Sequence, residues 1–192
     1  MARPARADHS TLLIDAVAQQ LLAGDEVHIA NACKAIGIAP SLANHYFEDK
    51  ADLVRSAWLK IVIAYISEDY EQLDKFGQSA DWDGVAEFVE KVFSPERTEV
   101  RQAHIRGLAA GSQDRVLAKS IEAAQQQTTE KWLGLLENYA KAGVLDPKVD
   151  LRALAIMFTA LPIGVTAVQG DLSDSDRKAM AETWVTMLRA VL

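Results

Sequence analysis

The side chains that carry out covalent or metal chemistry are few in this sequence and do not form the patterns that such chemistry needs. Of its 192 residues, four are histidines and one is a cysteine, Cys33. No glutamate has a histidine three positions later, the spacing by which helical bundles hold carboxylate-bridged metals. His-Glu-x-x-His, P-loop and Gly-x-Ser-x-Gly motifs are also missing. We therefore expect no enzyme, no metal site and no cofactor.

Two short helices joined by a tight turn are predicted near the amino terminus. The first extends from about His28 to Ile36, and Gly37 supplies the backbone freedom that the turn requires. Pro40 occupies a favoured first-turn position and opens the second helix, which reaches about Phe47. Because an amphipathic helix precedes this pair and a long helix follows it, the spacing is typical of a helix-turn-helix unit.

The stretch from Ala32 to Leu53 resembles the signature of the TetR family of transcriptional repressors. It joins a glycine turn, a Pro-Ser-Leu start to the second helix, an aromatic pair, and an Asp-Lys pair before a leucine-bearing helix. These features are Gly37, Pro40, Ser41, Leu42, Tyr46, Phe47, Asp49, Lys50 and Leu53. The resemblance covers about residues 10–58, and the rest of the chain agrees with the family only in helix number and length.

The resemblance implies that the second short helix is a recognition helix lying in the major groove of operator DNA. Asn44 has the amide that can pair with adenine, while Pro40 and Leu42 can contact thymine methyl groups. Tyr46 and Lys50 match phosphate-contacting positions of the family, and Lys50 starts a helix whose dipole also attracts anions. The implied DNA contacts are His28, Pro40, Ser41, Leu42, Asn44, His45, Tyr46 and Lys50.

Three positions in this motif depart from the family's usual pattern. His28 replaces a threonine or serine, Ile36 an alanine, and Ala39 a serine. The change at Ala39 removes a capping hydroxyl worth about 1 kcal/mol and so weakens the predicted start of the recognition helix. Before the first helix, Arg3 and Arg6 either reach along the minor groove as an arm or form a solvated tail.

Helical spacing and the resemblance together predict an all-α chain. A three-helix helix-turn-helix head would comprise residues 1–55, and about six helices would form a ligand-binding and dimerisation body, residues 56–192. The long helix begins after Asp49 and runs to about Phe76 and Gly77. The later helices are expected at Asp81–Phe93, Pro95–Ala110 with Gly111 ending it, Asp114–Ala142, Val149–Val168 and Ser173–Val191.

The last two predicted helices are apolar on more than one face. A short Gly170-Asp171 loop joins them and favours an antiparallel pair. Helices this apolar indicate a four-helix bundle shared with a second copy, so we expect a homodimer, although internal core is the alternative. The apolar positions are Leu154, Met157, Phe158, Leu161, Met180, Trp184, Met187, Leu188 and Val191.

The resemblance further implies that the body binds a small molecule which releases the repressor from DNA. A pocket lined mainly by apolar and aromatic groups suits a small, largely apolar inducer. His104, the single histidine of the body, is the polar candidate, and simple core packing is the alternative for every member of the set. The candidate lining residues are Trp58, Tyr65, Phe88, Val92, His104, Leu108, Trp132, Leu136 and Phe158.

Charge and composition are compatible with this interpretation but do not lead to it. The net charge is −7, of which residues 1–60 contribute −1, so the acidity lies mainly outside the head. The longest apolar stretch, Ala153–Val168, is shorter than the roughly 20 residues of a membrane span. We expect a buried helix there, no membrane association and a cytoplasmic protein. The alternatives are a helical-bundle enzyme or metal-binding protein without DNA binding, and a helical adaptor that binds only protein.

Overall fold

The computed structural model describes residues 9–76, 82–143, 145–146, 148–170 and 172–191, with residues 67–76 and 191 described by their backbone alone. These residues form nine α-helices and one 3₁₀ turn, Pro95–Arg97, with no strand among them, which confirms the all-α prediction. The helices are α1 (His9–Ala23), α2 (Ile29–Ala35), α3 (Pro40–Tyr46), α4 (Lys50–Phe76), α5 (Trp82–Val92), α6 (Thr98–Gln113), α7 (Arg115–Lys141), α8 (Leu151–Gln169) and α9 (Asp174–Val191).

Most helix boundaries lie at the residues that the sequence marks for them. Gly37 has φ +73°, the left-handed conformation that a side chain disfavours, and it separates α2 from α3. At the start of α4, the Asp52 amide donates to Asp49 Oδ1 at 2.7 Å, and the Glu48 amide donates to Asp52 Oδ2 at 3.2 Å. Two backbone donors that a helix leaves unpaired are thus satisfied by carboxylates.

The predicted end of α6 at Gly111 is wrong, because the helix continues to Gln113. Its break occurs at Asp114, whose backbone is extended and whose Oδ1 accepts from the amides of Val116 and Leu117 as the N-cap of α7. Gly111 instead lies at a close contact between helices, since a Cβ there would lie 3.2 Å from Ile121 Cδ1. The predicted positions Gly77, Asp81, Pro147 and Asp171 lie outside the described residues.

One long helix joins two hydrophobic cores. Leu53, Ala57 and Ile61 of α4 pack with Leu13 and Val17 of α1, together with the residues of α2 and α3, to form the core of the head. Further along α4, Val62, Tyr65 and Ile66 pack against Leu117 and Ile121 of α7. The boundary predicted after residue 55 therefore falls inside a continuous helix whose next turn still belongs to the core of the head.

The expectation that residues 153–168 form a buried helix is wrong for the single chain. In α8 only 22% of an 18-residue apolar window is buried, and by length and composition this is the one helix of the described residues that could cross a membrane. It packs against α6 and α7, whereas α9 packs against α5. Between α8 and α9 lies an apolar groove of about 1510 Å³. These two helices thus expose apolar side chains that a core helix would bury.

Candidate nucleic-acid interface and ligand site

One face of α3 packs against the rest of the head, and the opposite face is exposed to solvent. Ala43 is 3% exposed and packs into the head core. Four side chains at helical spacing face outward on α3, and Leu42 is half-buried beside them. The outward-facing residues are Pro40, Ser41, Asn44 and His45. The head thereby presents an amide, a hydroxyl and an imidazole on one exposed helix face.

The start of α3 forms without a capping hydroxyl. Ala39 is the N-cap residue with extended backbone, and its side chain makes no capping bond. Its carbonyl nevertheless accepts from the Leu42 amide at 2.9 Å, and Pro40 takes the first helical position. Because proline brings a fixed φ and has no amide to satisfy, it suits this end of the helix. The predicted weakness at Ala39 therefore does not prevent the helix from starting at Pro40.

The side chain of Gln20 holds the backbone of His28 in place at the start of α2. The His28 amide donates to Gln20 Oε1 at 2.8 Å, and Gln20 Nε2 donates to the His28 carbonyl at 3.4 Å. His28 is the N-cap of α2, and its exposed ring lies 3.9 Å from Glu26 Oε2. Gln20 is not among the residues predicted from the sequence, because a glutamine on an amphipathic helix gives no signal for such a contact.

Tyr46 and Lys50 flank the exposed face at its carboxyl-terminal side. The Tyr46 side chain is 37% exposed and meets the rings of His9 and His45 edge to face. Lys50 is exposed at the first position of α4. Since Asp49 and Asp52 already occupy backbone amides there, the ammonium group of Lys50 rather than the helix end is the group available to an anion. Arg3 and Arg6 lie outside the described residues.

The nine predicted pocket residues fall into two neighbouring groups. Four lie where α4 meets α6, and five lie in the core formed by α5, α7, α8 and α9. In the second group, the Trp132 and Phe158 rings stack at 4.9 Å, and Phe88 meets Trp132 edge to face at 5.1 Å. The first group is Trp58, Tyr65, His104 and Leu108, and the second is Phe88, Val92, Trp132, Leu136 and Phe158.

The core of the second group is almost filled by its own side chains. A void of about 10 Å³ remains between Phe88, Val92, Phe158 and Trp184. Trp184, which sequence analysis placed in the dimerisation helices, packs against Phe158 at 5.6 Å and Phe93 at 6.1 Å. Its indole Nε1 is buried without a hydrogen-bond partner among the described residues. Trp184 and Phe93 therefore join the predicted residues as part of this aromatic cluster.

The fold of this chain is similar to that of several solved structures. No family model and no curated protein matches the chain. Among solved structures, a protein described as a TetR-family transcriptional regulator from Mesorhizobium loti has a TM-score of 0.76 at 13% identity, covering 94% of this chain and 95% of that one. Salmonella enterica GusR has a TM-score of 0.69 at 20% identity, covering 95% and 94%. The chain has the TetR-family fold.

A further structure with this TetR-family fold was solved with a ligand. FadR from Bacillus subtilis, in complex with stearoyl-CoA, has a TM-score of 0.62 at 16% identity, covering 95% of this chain and 98% of that one. The likeness to all three structures extends over both the head and the body. The predicted fold class, a three-helix head followed by six further helices, is thereby confirmed.

An ion pair connects the head of this TetR-type fold to its body. Arg55 Nη1 lies 3.4 Å from Asp114 Oδ2, and Arg55 Nη2 lies 3.8 Å from Asp52 Oδ1. The amide of Leu117, then that of Val116, and the guanidinium of Arg55 hold the pKa of Asp114 below its usual value. One carboxylate thus caps α7 and also pairs with the helix that continues the head.

His104 of α6 is the most deeply buried polar member of the predicted pocket set. It is 1% exposed, and the centroid of its ring lies 4.4 Å from that of Tyr65. Burial lowers the pKa of His104 to about 4, because the charged imidazolium would lose its hydration there. The imidazole is consequently neutral at pH 7.

Replacing Gly107 with alanine is expected to destabilise the protein at the contact between α4 and α6. A Cβ at this position would lie 2.7 Å from Cγ2 of Val62, which is fully buried. The crowding should lower the free energy of unfolding by about 1–3 kcal/mol, as measured by urea denaturation. Gly134→Ala is the control, because its Cβ would meet nothing within 4 Å. A Gly107→Ala chain as stable as the wild type would contradict this close approach.

Proposed function

We propose that this chain is a TetR-family transcriptional regulator, a repressor that binds a palindromic operator as a homodimer and leaves it when a small apolar molecule binds. The observation that carries the proposal is the exposed face of α3, which presents Asn44 and His45 on a helix-turn-helix head. Such a face fits the major groove, where base edges carry distinct donor and acceptor patterns. The TetR-type fold supports this role and favours a regulator over an enzyme.

Base reading and backbone contact are assigned to different side chains. Asn44 is proposed to pair with adenine, and Ser41 and His45 to bond base edges or phosphates. Pro40 and Leu42 offer apolar contact to thymine methyl groups. Tyr46, Lys50 and His28 are proposed to contact phosphates, which fix register without reading sequence. His28 is the weakest of these proposed phosphate contacts, because the negatively charged Glu26 carboxylate lies 3.9 Å from His28 Nε2.

Dimerisation is assigned to the exposed apolar faces of α8 and α9. Met157 and Val168 of α8 and Met187 of α9 are 57%, 78% and 60% exposed in the single chain, and all three residues line the groove between these helices. A second copy would cover these side chains in a four-helix bundle. It would also supply the second recognition helix, about 34–36 Å from the first, that a palindromic site requires.

The inducer and the location follow from the same proposal. The aromatic and apolar side chains of the body favour a largely apolar molecule, and its binding is assigned to both groups of predicted pocket residues. A second copy would cover the exposed apolar side chains of α8, so these side chains do not require a membrane. Because the proposed partner is operator DNA, we propose that the protein is located in the cytoplasm.

Selection of bound sequences from a random DNA pool tests the proposal. We expect a palindromic consensus whose half-sites are one helical turn apart. Asn44→Ala should lose about 1–3 kcal/mol of affinity and relax the preference at one base pair per half-site. Lys50→Ala should weaken binding to all sequences and reduce the salt dependence by about one ion per subunit. Lys119→Ala, which removes an exposed charge from α7, is the control.

The outcomes separate the proposal from its alternatives. A pool that yields no enriched sequence, with the folded chain showing no DNA binding at low salt, would favour a protein-binding adaptor. Unchanged binding by both Asn44→Ala and Lys50→Ala would show that DNA contacts another surface. The metal-binding alternative has little support, because no three histidine, cysteine or acidic side chains group together in the described part of the chain.

A further inference from the structure

His104 has a polar ring in an apolar interior. His104 is only 1% exposed, and neither Nδ1 nor Nε2 of its ring has a hydrogen-bond partner among the described residues. Its neighbour Tyr65 belongs to an apolar cluster that also contains Val62, Ile66, Leu117 and Ile121. A neutral imidazole carries one donor and one acceptor, and both are left unsatisfied in this cluster.

Packing alone does not explain a histidine at this position. Leaving a buried donor and acceptor unpaired costs free energy, because both groups give up hydrogen bonds to water. A leucine has a similar volume and would fill the same space without that cost. Unsatisfied buried groups of this kind are concentrated at sites that bind a ligand or perform chemistry. The imidazole is therefore unfavourable for stability unless something else pairs with it.

The position of His104 connects it to the head. Tyr65, which its ring contacts, lies on α4, the helix that starts at Lys50 beside the DNA-contacting face. One turn after His104, Gly107 brings α6 so near to α4 that a Cβ would collide with Val62. A molecule bound at His104 would therefore enter near this close approach of α4 and α6 and would push the two helices apart.

We propose that His104 anchors the inducer and that the inducer is a largely apolar molecule whose polar group is a neutral hydroxyl. This inference rests on the proposed function, because it names the chemistry of the molecule that the regulator senses. A hydroxyl both donates and accepts, so it pairs with a neutral imidazole whichever nitrogen carries the proton. A hydrocarbon would leave both ring nitrogens unsatisfied, and a carboxylate can only accept.

A carboxylate is nevertheless the competing ligand class. The guanidinium carbon of Arg97 lies 5.6 Å from the centroid of the Tyr65 ring and places a positive charge on the same side chain that His104 contacts. An anion would have to be drawn into an apolar cluster by this charge, whereas a neutral hydroxyl pays a much smaller desolvation cost. The test therefore compares a neutral, an apolar and an anionic version of one molecular frame.

Binding of 2-naphthol, naphthalene and 2-naphthoate to the full chain, followed by calorimetry, tests the inference. The flat bicyclic frame is shared by all three compounds and can pack against the Tyr65 ring. We expect 2-naphthol to bind about tenfold more tightly than the other two, the value of one well-made hydrogen bond. Equal binding of naphthalene, preference for 2-naphthoate, or no binding of 2-naphthol would each overturn the inference.

Variants locate the preference at His104. In His104→Phe and His104→Leu the two polar atoms are absent, so 2-naphthol and naphthalene should bind within about twofold of each other. Thr128→Val is the matched control, because its buried hydroxyl donates within its own helix to the Ala124 carbonyl. It should retain the tenfold preference. A preference that survives in both His104 variants would place the hydroxyl elsewhere.

A spectroscopic measurement on the wild-type chain does not depend on the folding of any variant. With ¹⁵N-labelled histidine, 2-naphthol should shift one ring nitrogen of His104, while naphthalene should not. Identical His104 spectra with both compounds would overturn the inference. Operator binding without ligand is measured separately, so loss of the proposed function would show as absent DNA binding, whatever the naphthol result.

Discussion

Changing Met157 and Met187 together to glutamate is expected to leave a helical monomer that binds operator DNA roughly a hundredfold more weakly than the wild type. Both side chains line the groove between α8 and α9, and both are more than half exposed in the single chain. Each glutamate would have to lose its hydration against the apolar face of a second copy. Four carboxylates, two from each chain, would then oppose dimerisation.

The loss of DNA affinity follows from the loss of the dimer. A dimer binds its second half-site as an intramolecular event, and a monomer forgoes that advantage. Analytical ultracentrifugation measures the assembly, and fluorescence anisotropy with a labelled operator measures the affinity. Ala123→Glu is the control, because it adds a carboxylate to an exposed position of α7 that does not line the groove. A double variant that remains a dimer would place the interface on another surface.

Acidification should destabilise the wild-type chain more than the His104→Leu chain, by about 3 kcal/mol between pH 7.5 and pH 3.5. The pKa of His104 is about 4 in the folded chain and 6.5 in the unfolded one. Below pH 6.5 the unfolded state gains a proton that the folded state does not bind, so stability is lost as the pH falls. Above about pH 7.5 both states are essentially neutral at this residue and the difference is constant.

Urea denaturation at a series of pH values measures this effect. Only the difference between wild type and His104→Leu is interpreted, because carboxylates contribute to the pH dependence of both chains. The Thr128→Val chain, which changes a buried polar residue of α7 but no histidine, is the control and should follow the pH dependence of the wild type. If the free energy of unfolding depended on pH in the same way for wild type and His104→Leu, the pKa of His104 would be the same in the folded and the unfolded chain, and the prediction would be wrong.

The head could be predicted from sequence in considerable detail because local residues determine its boundaries. Gly37, Pro40 and Asp49 each act within one turn of the helix end that they mark, through a positive φ, a fixed φ and a capping carboxylate. The helix starts at Pro40 although Ala39 has no capping hydroxyl, because the proline and the Ala39 carbonyl still define its first turn. Gln20 could not be found, because its partner His28 is eight residues away in a different element.

The body was harder to predict because its decisive contacts join distant parts of the chain. A glycine such as Gly111 often ends a helix, yet α6 continues through it to Gln113, and Ile121 of α7 packs closely beside it, with Cδ1 3.2 Å from where a Cβ would lie. A helix that is apolar on more than one face can be buried in its own core or covered by a second copy, so composition left both alternatives open until α8 was found exposed in the single chain. Trp184 likewise belongs to the aromatic cluster as well as to the groove.

Because α4 belongs to both cores, it acts as a single stiff rod between the place where a ligand would enter and the place where DNA would be held. Its 27 residues span about 40 Å. Lys50 and Tyr65 are about 22 Å apart along the helix, so a tilt of about 5° at Tyr65 would displace the Lys50 end by roughly 2 Å. In a twofold assembly the displacements of the two subunits add. A small movement at the ligand site would therefore change the spacing of the two recognition helices, so that they no longer fit successive major grooves of a duplex.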